Sequence, residues 1–226
     1  MITKTNSSSV LTRLQIILAA ERLFGEQSID AVSLRQINVA AGQKNSSATH
    51  YHFGDKETLI KAIYDYRMAN VNMRRVEMLQ AIPKCSSVRQ LIEAMIYPIV
   101  DEIDNTDGGK HYIMFLSQMI GNPSVDLNQI WSSKHGSGLN EILNRLQVML
   151  TQLPAPILGQ RFGLTVAQIF HSLADRERLR NNPAIDFSKY GALFVSNLVD
   201  CQTGSFDAPV SDVTQRELDD VQRDAS

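Results

Sequence analysis

Residues 33–59, SLRQINVAAGQKNSSATHYHFGDKETL, decide the fold, because they encode two short helical segments separated by a glycine. Ser33 precedes apolar residues at helical spacing, and Gln36 follows it by three positions. In such a capping box the serine hydroxyl accepts a bond from a free helix N–H, while the glutamine reaches back to the serine N–H. We therefore predict a short helix over 34–41, ended by Gly42 in a left-handed conformation.

The second short segment runs from Ser46 to Phe53 and ends at Gly54. Asn45 or Ser46 can cap its start, and Asp55 caps the helix that follows. An amphipathic stripe over 12–26 predicts a helix before the pair. Two short helices joined by a glycine turn and flanked by longer helices indicate a helix-turn-helix inside a small bundle.

The third predicted helix is polar where a buried helix would carry an apolar stripe. Its small and hydrogen-bonding side chains can approach base edges in a DNA groove, while hydroxyl and backbone N–H groups can bind phosphate. Lys44 and Lys56 flank the segment and can neutralise further phosphates. The alternative is an ordinary solvated helix with two surface histidines, which leaves the flanking pattern without a purpose.

Charge is divided along the chain. The formal net charge is −2, but residues 1–75 carry a net +4 and residues 76–226 a net −6. A basic module on an acidic body is typical of a polyanion-binding domain attached to a part that stays off the polyanion.

Several blocks of the N-terminal third resemble the TetR/AcrR-type transcriptional regulators. The matching blocks are ILAAERLF at 17–24, SLRQI at 33–37, AAG at 40–42 and YHFGDKETL at 51–59. The segment from Gly42 to Phe53 is one residue longer than the commonest family pattern. The resemblance implies phosphate contacts by Ser33, Tyr51 and Lys56, and base contacts by Ser47, Thr49 and His50. The complete predicted DNA-binding set is Ser33, Arg35, Lys44, Asn45, Ser46, Ser47, Thr49, His50, Tyr51, His52 and Lys56.

The rest of the chain reads as an all-α body. Periodic segments over 88–103, 110–120, 139–153, 157–180 and 187–201 alternate with Gly, Pro and Asn breakers, and no alternating strand pattern of useful length is present. We predict a helix-turn-helix domain at 1–55, a helical ligand-binding and dimerisation domain at 56–201 whose residues 56–80 form a connecting helix, and an acidic tail at 202–226. A short helix over 211–223 is possible within that tail.

The last two body helices carry more apolar surface than one core face requires, which predicts either burial within the chain or a two-fold interface. A homodimer would supply the second recognition helix that a palindromic operator in double-stranded DNA requires. The predicted interface residues are Phe162, Ile169, Phe170, Leu173, Tyr190, Phe194 and Leu198.

Methionine and aromatic residues are frequent between the connecting helix and the last two body helices. They either fill the core or line an apolar effector cavity. Pro98 would kink its helix and free a carbonyl. The candidate pocket residues are Met95, Tyr97, His111, Tyr112, Phe115, Met119, Trp131, Arg161 and His171.

Other classes of protein have less support. His171 and Asp175 share a helix face and Asp101, Asp104 and Asp107 are closely spaced, but no metal-binding or catalytic motif accompanies them, so we predict neither a catalytic residue nor a metal or cofactor. The two cysteines have no partner at metal spacing, and no apolar run could span a membrane. A cytoplasmic, ligand-responsive DNA-binding regulator follows, a repressor by resemblance. A helical protein-protein adaptor and an all-α enzyme using the C-terminal pocket are the alternatives.

Overall fold

The computed structural model describes residues 4–45, 47–83, 87–123, 125, 135–180 and 182–224, with side chains from residue 8 onward. These residues form α-helices and connecting turns, without a strand among them. The helices are α1 (Lys4–Glu26), α2 (Leu34–Ala40), α3 (Ala48–Phe53), α4 (Lys56–Ala81), α5 (Val88–Asn105), α6 (Gly109–Ile120), α7 (Ser137–Met149), α8 (Ala155–Arg180), α9 (Phe187–Asp207) and α10 (Asp212–Asp224). The all-α prediction is confirmed.

The N-terminal helices form a small bundle that packs on the body. Helix α1 contacts α2, α3 and α4, and it also packs along α6. Ile16, Ala20 and Phe24 of α1 are fully buried, as the amphipathic stripe predicts. The Phe24 ring stacks on Phe115 of α6, with 6.1 Å between the centroids, so one aromatic contact joins the two parts of the chain.

In the described part of the chain, the helices of the body pack around α5. Helix α5 contacts α4, α6, α7 and α9, while α8 packs against α6 and α9. Met95, Ile96 and Ile99 on α5 are almost completely buried by these neighbours. No described helix has the combination of length and apolar character that crossing a membrane requires.

The boundary predicted at residue 201 is wrong. Helix α9 continues to Asp207, and its last turns bury Gln202 and Phe206. The Arg161 guanidinium donates to the backbone carbonyl oxygens of Phe206 and Ala208, which lie at the end of α9. Residues 202–207 are therefore part of the body, because an aromatic anchor and an arginine hold them on α8.

Candidate DNA-binding surface

The start of α2 is held by the predicted capping box. The Ser33 hydroxyl oxygen accepts from the Gln36 N–H at 3.3 Å, and Gln36 Oε1 accepts from the Ser33 N–H at 2.8 Å. Both side chains are exposed, so the α2 N-terminus is presented on the surface. The left-handed φ of 66° at Gly42 then turns the chain toward α3.

A buried polar pair fixes α3 against α2. Asn38 Oδ1 accepts from the Thr49 N–H at 2.9 Å and from the Thr49 hydroxyl at 2.7 Å, and both side chains are buried. The prediction that Thr49 faces base edges is therefore wrong, because its only hydroxyl is inside the helix pair. The residue types alone do not signal this pairing, because Asn38 and Thr49 lie on different helices.

The exposed residues of α3 and its cap are Ser47, His50 and Tyr51, which we call the recognition face. Tyr51 is 82% exposed although it is a large aromatic residue. His50 Nδ1 contacts the Gly54 carbonyl oxygen, which orients the imidazole ring at the end of α3. His52 is half-buried with its ring edge-on to Tyr51, at the border of this face.

Basic side chains lie on the neighbouring segments. Arg35 on α2 and Lys44 in the turn are exposed, and so is Asn45. Asn45 Oδ1 accepts from the Ser47 N–H at 2.9 Å, so it shapes the turn before α3. The predicted contact at Ser46 lies outside the described residues.

The structure departs from the sequence prediction at two cations. Lys56 Nζ lies 3.5 Å from the Asp30 carbonyl oxygen and 5.8 Å from the Phe24 ring centroid, so it is turned toward the protein in this conformation. Arg13 on α1, which the sequence reasoning missed, is exposed with its guanidinium 4.9 Å above the Phe53 ring centroid. Only the folding of α1 across α3 brings Arg13 to this surface.

Helix α4 begins directly after the recognition face. Asp55 caps it by accepting from the Thr58 N–H at 2.7 Å, and this backbone hydrogen bond is the main cause that lowers the pKa of the Asp55 carboxyl. The same helix continues into the body for 26 residues. One helix therefore extends from the end of the recognition face into the body.

A buried ion cluster ties α4 to both parts of the chain. Arg67 donates to both Glu21 carboxylate oxygens on α1, at 2.6 and 2.8 Å, and to Glu102 on α5 at 3.2 Å. Burial alone would lower the pKa of Arg67, but the hydrogen bonds and charges of Glu21 and Glu102 outweigh it and raise the pKa. The Asp107 carbonyl oxygen accepts a further bond at 2.7 Å, so the α5–α6 turn belongs to the cluster.

The candidate pocket residues do not converge. Tyr112, Phe115 and Met119 are fully buried core residues of α6, while Tyr97 and His171 are exposed. His111 is half-buried, with Nε2 3.5 Å from Glu26, in a surface cleft beside α1. Arg161 holds the end of α9 instead of lining a cavity, and Trp131 lies outside the described residues. Of these described candidates, Met95 lines a narrow cavity beside Arg75.

The predicted interface divides into two groups. Ile169, Phe170, Leu173 and Leu198 are buried within one protomer, so their assignment to an interface is wrong: they fill the packing between α8 and its neighbours. Tyr190 and Leu193 on α9 are more than half exposed, and Phe194 lies between them and the core. With Leu179 and Ile185 they line an apolar surface depression, and half-buried Phe162 packs on the core instead.

The acidic residues considered for an enzyme have structural partners. Asp104 accepts a bidentate pair of bonds from Arg176, at 2.8 and 3.0 Å, and therefore ties α5 to α8. Asp101 accepts from the Asn105 amide on the same helix. Within the described part of the chain, no group of three or more His, Cys, Asp or Glu side chains has an arrangement that could hold a metal ion.

The N-terminal part of the chain is similar to known regulatory proteins. Residues 16–63 match the family model described as bacterial regulatory proteins of the tetR family. The HTH-type transcriptional regulator AcrR of Shigella flexneri is 30% identical over 104 residues, which are 45% of this chain and 48% of AcrR. The similarity thus spans about half the length of that relative.

Two solved structures share the fold of nearly the whole chain. A TetR family transcription regulator from Marinobacter aquaeolei VT8 superposes with a TM-score of 0.60 at 15% identity, over 90% of this chain and 98% of the other. A putative TetR-family transcriptional regulator from Mesorhizobium loti MAFF303099 gives 0.51 at 17% identity, over 88% and 96%. At this identity the likeness establishes the architecture of the body, a helical C-terminal domain behind a helix-turn-helix.

Proposed function

We propose that the chain is a member of the tetR family of bacterial regulatory proteins, whose model its residues 16–63 match, and that it acts as a dimeric transcriptional repressor. It would release a palindromic DNA operator when a small molecule binds its C-terminal domain. The observation that carries this proposal is the recognition face. Its exposed Ser47, His50 and Tyr51 are held on a helix whose opposite side is locked by Asn38. The relatives it resembles are transcription regulators, and the proposal assigns no catalytic step.

Base reading and phosphate binding fall to different residues. His50 and Ser47 have polar atoms on the exposed side of α3 and would read base edges in the major groove. Tyr51, Arg35 and Lys44 surround them and would bind phosphates, joined by the exposed Ser33 at the α2 N-terminus. Lys56 can join them only if its side chain leaves Asp30 and Phe24.

The dimer would form through the exposed apolar side of α9. Tyr190, Leu193 and Phe194 lie on that side, next to Leu179 on α8. A two-fold axis at this surface would place the same helices of two protomers against each other. It would also supply two recognition faces, one for each half of a palindrome.

The release step would be a shift between two arrangements of α4. Arg67 connects this helix with α1 and α5, and the Asp55 N–H donates to the Phe53 carbonyl oxygen at the end of α3. A ligand that binds better to one arrangement of the body changes the populations by its difference in affinity. The two recognition faces of the dimer would then fit adjacent major grooves in one arrangement only.

Selection from a pool of random DNA duplexes tests the DNA-binding function. We expect the wild-type protein to enrich a palindromic sequence and Tyr51→Ala to lose affinity for it at unchanged melting temperature, since Tyr51 makes little packing contact. The matched control is Tyr97→Ala, which removes another exposed tyrosine on α5 and should leave binding unchanged. A wild-type protein that enriches no sequence would favour the adaptor alternative.

A further inference from the structure

Arg75 lies on α4 in the middle of the body and is 1% exposed. Its Nε donates to the Ala94 carbonyl oxygen at 3.2 Å and its Nη2 to the Met95 carbonyl oxygen at 3.4 Å, while Nη1 lies 3.9 Å from Met68 Sδ. These are long contacts for a charged donor, whose hydrogen bonds to oxygen are usually about 2.7 to 2.9 Å. Among the described residues, the groups that contact this positive charge are therefore neutral.

The other buried arginines of the described chain are neutralised. Arg67 has Glu21 and Glu102, and Arg176 has Asp104 and Glu177. No carboxylate of the described residues pairs with Arg75. Burial lowers the pKa of Arg75 to about 10, an effect that the nearby phenols Tyr64 and Tyr112 offset only in part, so the guanidinium is still charged at neutral pH.

Pro98 explains how the chain tolerates this cation. A proline within a helix lacks the N–H that would bond to the carbonyl four residues earlier, which here is Ala94 on α5. Arg75 Nε takes the place of that missing donor. A neutral carbonyl satisfies one N–H but does not balance the charge, and an unpaired buried charge is costly.

The surroundings of Arg75 are apolar and adaptable. Arg75 lines a narrow cavity of about 10 Å³ together with Met68, Met95, Ile99, Leu139, Val166, Ile169 and Phe170. A volume of this size holds at most about one water molecule, so an occupant must displace the lining. Two of the side chains are methionines, whose unbranched thioethers rearrange more easily than branched residues.

A second buried donor, the Tyr112 hydroxyl, is among the groups that affect the pKa of Arg75. The Tyr112 hydroxyl oxygen is buried and makes no hydrogen bond within the described chain. Burial raises the pKa of Tyr112 well above its ordinary value and that of Tyr64 to about 12, so both phenols keep their protons. A protonated phenol and a guanidinium are both hydrogen-bond donors that suit an anion.

We propose that Arg75 is the anion-binding residue of an effector site in the body, and that the effector is an amphipathic monoanion, a carboxylate on an apolar hydrocarbon or aromatic frame. The carboxylate would pair with the guanidinium, with the Tyr112 hydroxyl as an additional donor, while the frame would replace the methionine side chains between α4, α5 and α8. This inference rests on the proposed function for its regulatory meaning, because Arg75 lies on the helix that begins beside α3.

Calorimetric titration of the full chain tests the proposal without DNA. The probes are octanoate and 3-phenylpropionate, each compared with its uncharged amide. We expect the wild-type protein to bind at least one carboxylate tenfold or more tightly than the matching amide. Arg75→Met should remove this preference, Arg75→Lys should keep most of it, and Arg216→Met, which removes an exposed cation on α10, should keep all of it.

The melting temperature of the free protein provides a second readout. If Arg75 is retained for an anion, Arg75→Met should melt at or above the wild-type temperature, because a neutral side chain of similar length replaces an unbalanced charge. Carboxylates and amides that bind equally, or not at all, overturn the proposal, and so does an Arg75→Met variant that keeps the preference. Lower stability of Arg75→Met without any carboxylate preference in the wild type assigns Arg75 to the support of the Ala94 carbonyl oxygen, which Pro98 leaves without its helix donor.

Measuring operator binding with and without carboxylate distinguishes the anion site from the repressor function. Carboxylate binding that leaves an operator complex intact would confirm the site and contradict its regulatory role. A protein that binds an operator but no carboxylate would keep the repressor function and remove the anion site.

Discussion

Thr49 and His50 are adjacent in sequence, but one is buried and the other is exposed. Thr49 is completely buried and donates twice to Asn38, whereas His50 points to solvent on the recognition face. A helix of six residues that both packs on α2 and contacts DNA must use one side for packing and the other side for DNA. The two residue types do not reveal this division, because a threonine hydroxyl serves a buried amide as well as a base edge.

Replacing Thr49 by valine tests this assignment. Valine keeps the shape but leaves the buried Asn38 carbonyl oxygen without the hydroxyl donor, so we expect a loss of about 1 to 2 kcal/mol in the free energy of unfolding. His50→Ala is the control and should change stability by less than about 0.5 kcal/mol while weakening DNA binding. Denaturant titration decides, and an unchanged midpoint for Thr49→Val would contradict the structural role.

The Asp104 carboxylate makes stability depend on pH. Burial alone would raise its pKa, but hydrogen bonds from Arg176 and Arg180 outweigh it and hold the pKa below the ordinary value. A carboxyl with a depressed folded-state pKa adds stability above its unfolded pKa, near 3.8, and loses it as the pH falls through the folded value.

We expect Asp104→Asn to cost about 2 kcal/mol at pH 7 and progressively less below pH 4. Asp207→Asn removes an exposed carboxylate on α9 and is the control, with an expected effect within about 0.5 kcal/mol. Urea unfolding of the three proteins between pH 3 and pH 7 measures the difference. A gap that does not narrow toward low pH would mean that Asp104 adds no charge-dependent stability.

At the level of helices, the sequence predicts local structure well and partnership poorly. The capping box at Ser33, the left-handed Gly42 and the helix after Asp55 follow from neighbouring residues, and the structure confirms each of them. The inward turn of Lys56 and the place of Arg13 above Phe53 depend on helices that are distant in sequence. No periodicity could supply them.

The same reason explains the mixed result on the last two body helices. Ile169 and Leu193 each lie on a helix with more apolar surface than one core face requires. The sequence does not reveal which apolar side of such a helix faces the core. The structure buries Ile169 and leaves Leu193 largely exposed. Pro98 is an intermediate case, because a freed carbonyl was predictable and its donor, Arg75, was not.

Gly25 allows α1 and α6 to pack closely. A Cβ atom at this position would lie 2.6 Å from the His111 carbonyl oxygen, which is backbone and has little freedom to move. We expect Gly25→Ala to cost about 1 to 3 kcal/mol, since the two helices must separate. Gly121→Ala at the far end of α6 meets only an ordinary contact at 3.9 Å and is the control. Thermal unfolding that is equal for both variants would contradict this role.

At the scale of the whole molecule, α4 joins the two proposed activities. Its first residue follows the Asp55 cap beside α3, its middle holds the Arg67 cluster, and its second half carries Arg75. Arg67 is fully paired with carboxylates of α1 and α5, which favours one arrangement of these helices. An anion at Arg75 would act on the same helix about two turns further on, where no described carboxylate balances the guanidinium charge.

The exposed side of α9 decides whether the molecule is a dimer. Leu193 is 61% exposed, so glutamate at this position should change the stability of the protomer by less than about 0.5 kcal/mol. In a two-fold interface, however, Leu193→Glu would bury a carboxylate near its own copy without a partner, which is strongly unfavourable. We therefore expect monomers in sedimentation at micromolar concentration and the loss of tight binding to a palindrome, with weak binding to single half-sites retained.

The control is Val148→Glu, which places the same charge at an exposed position of α7 and should leave the dimer intact. A wild-type protein that sediments as a monomer would contradict the dimer, and a Leu193→Glu dimer would place the interface on another surface.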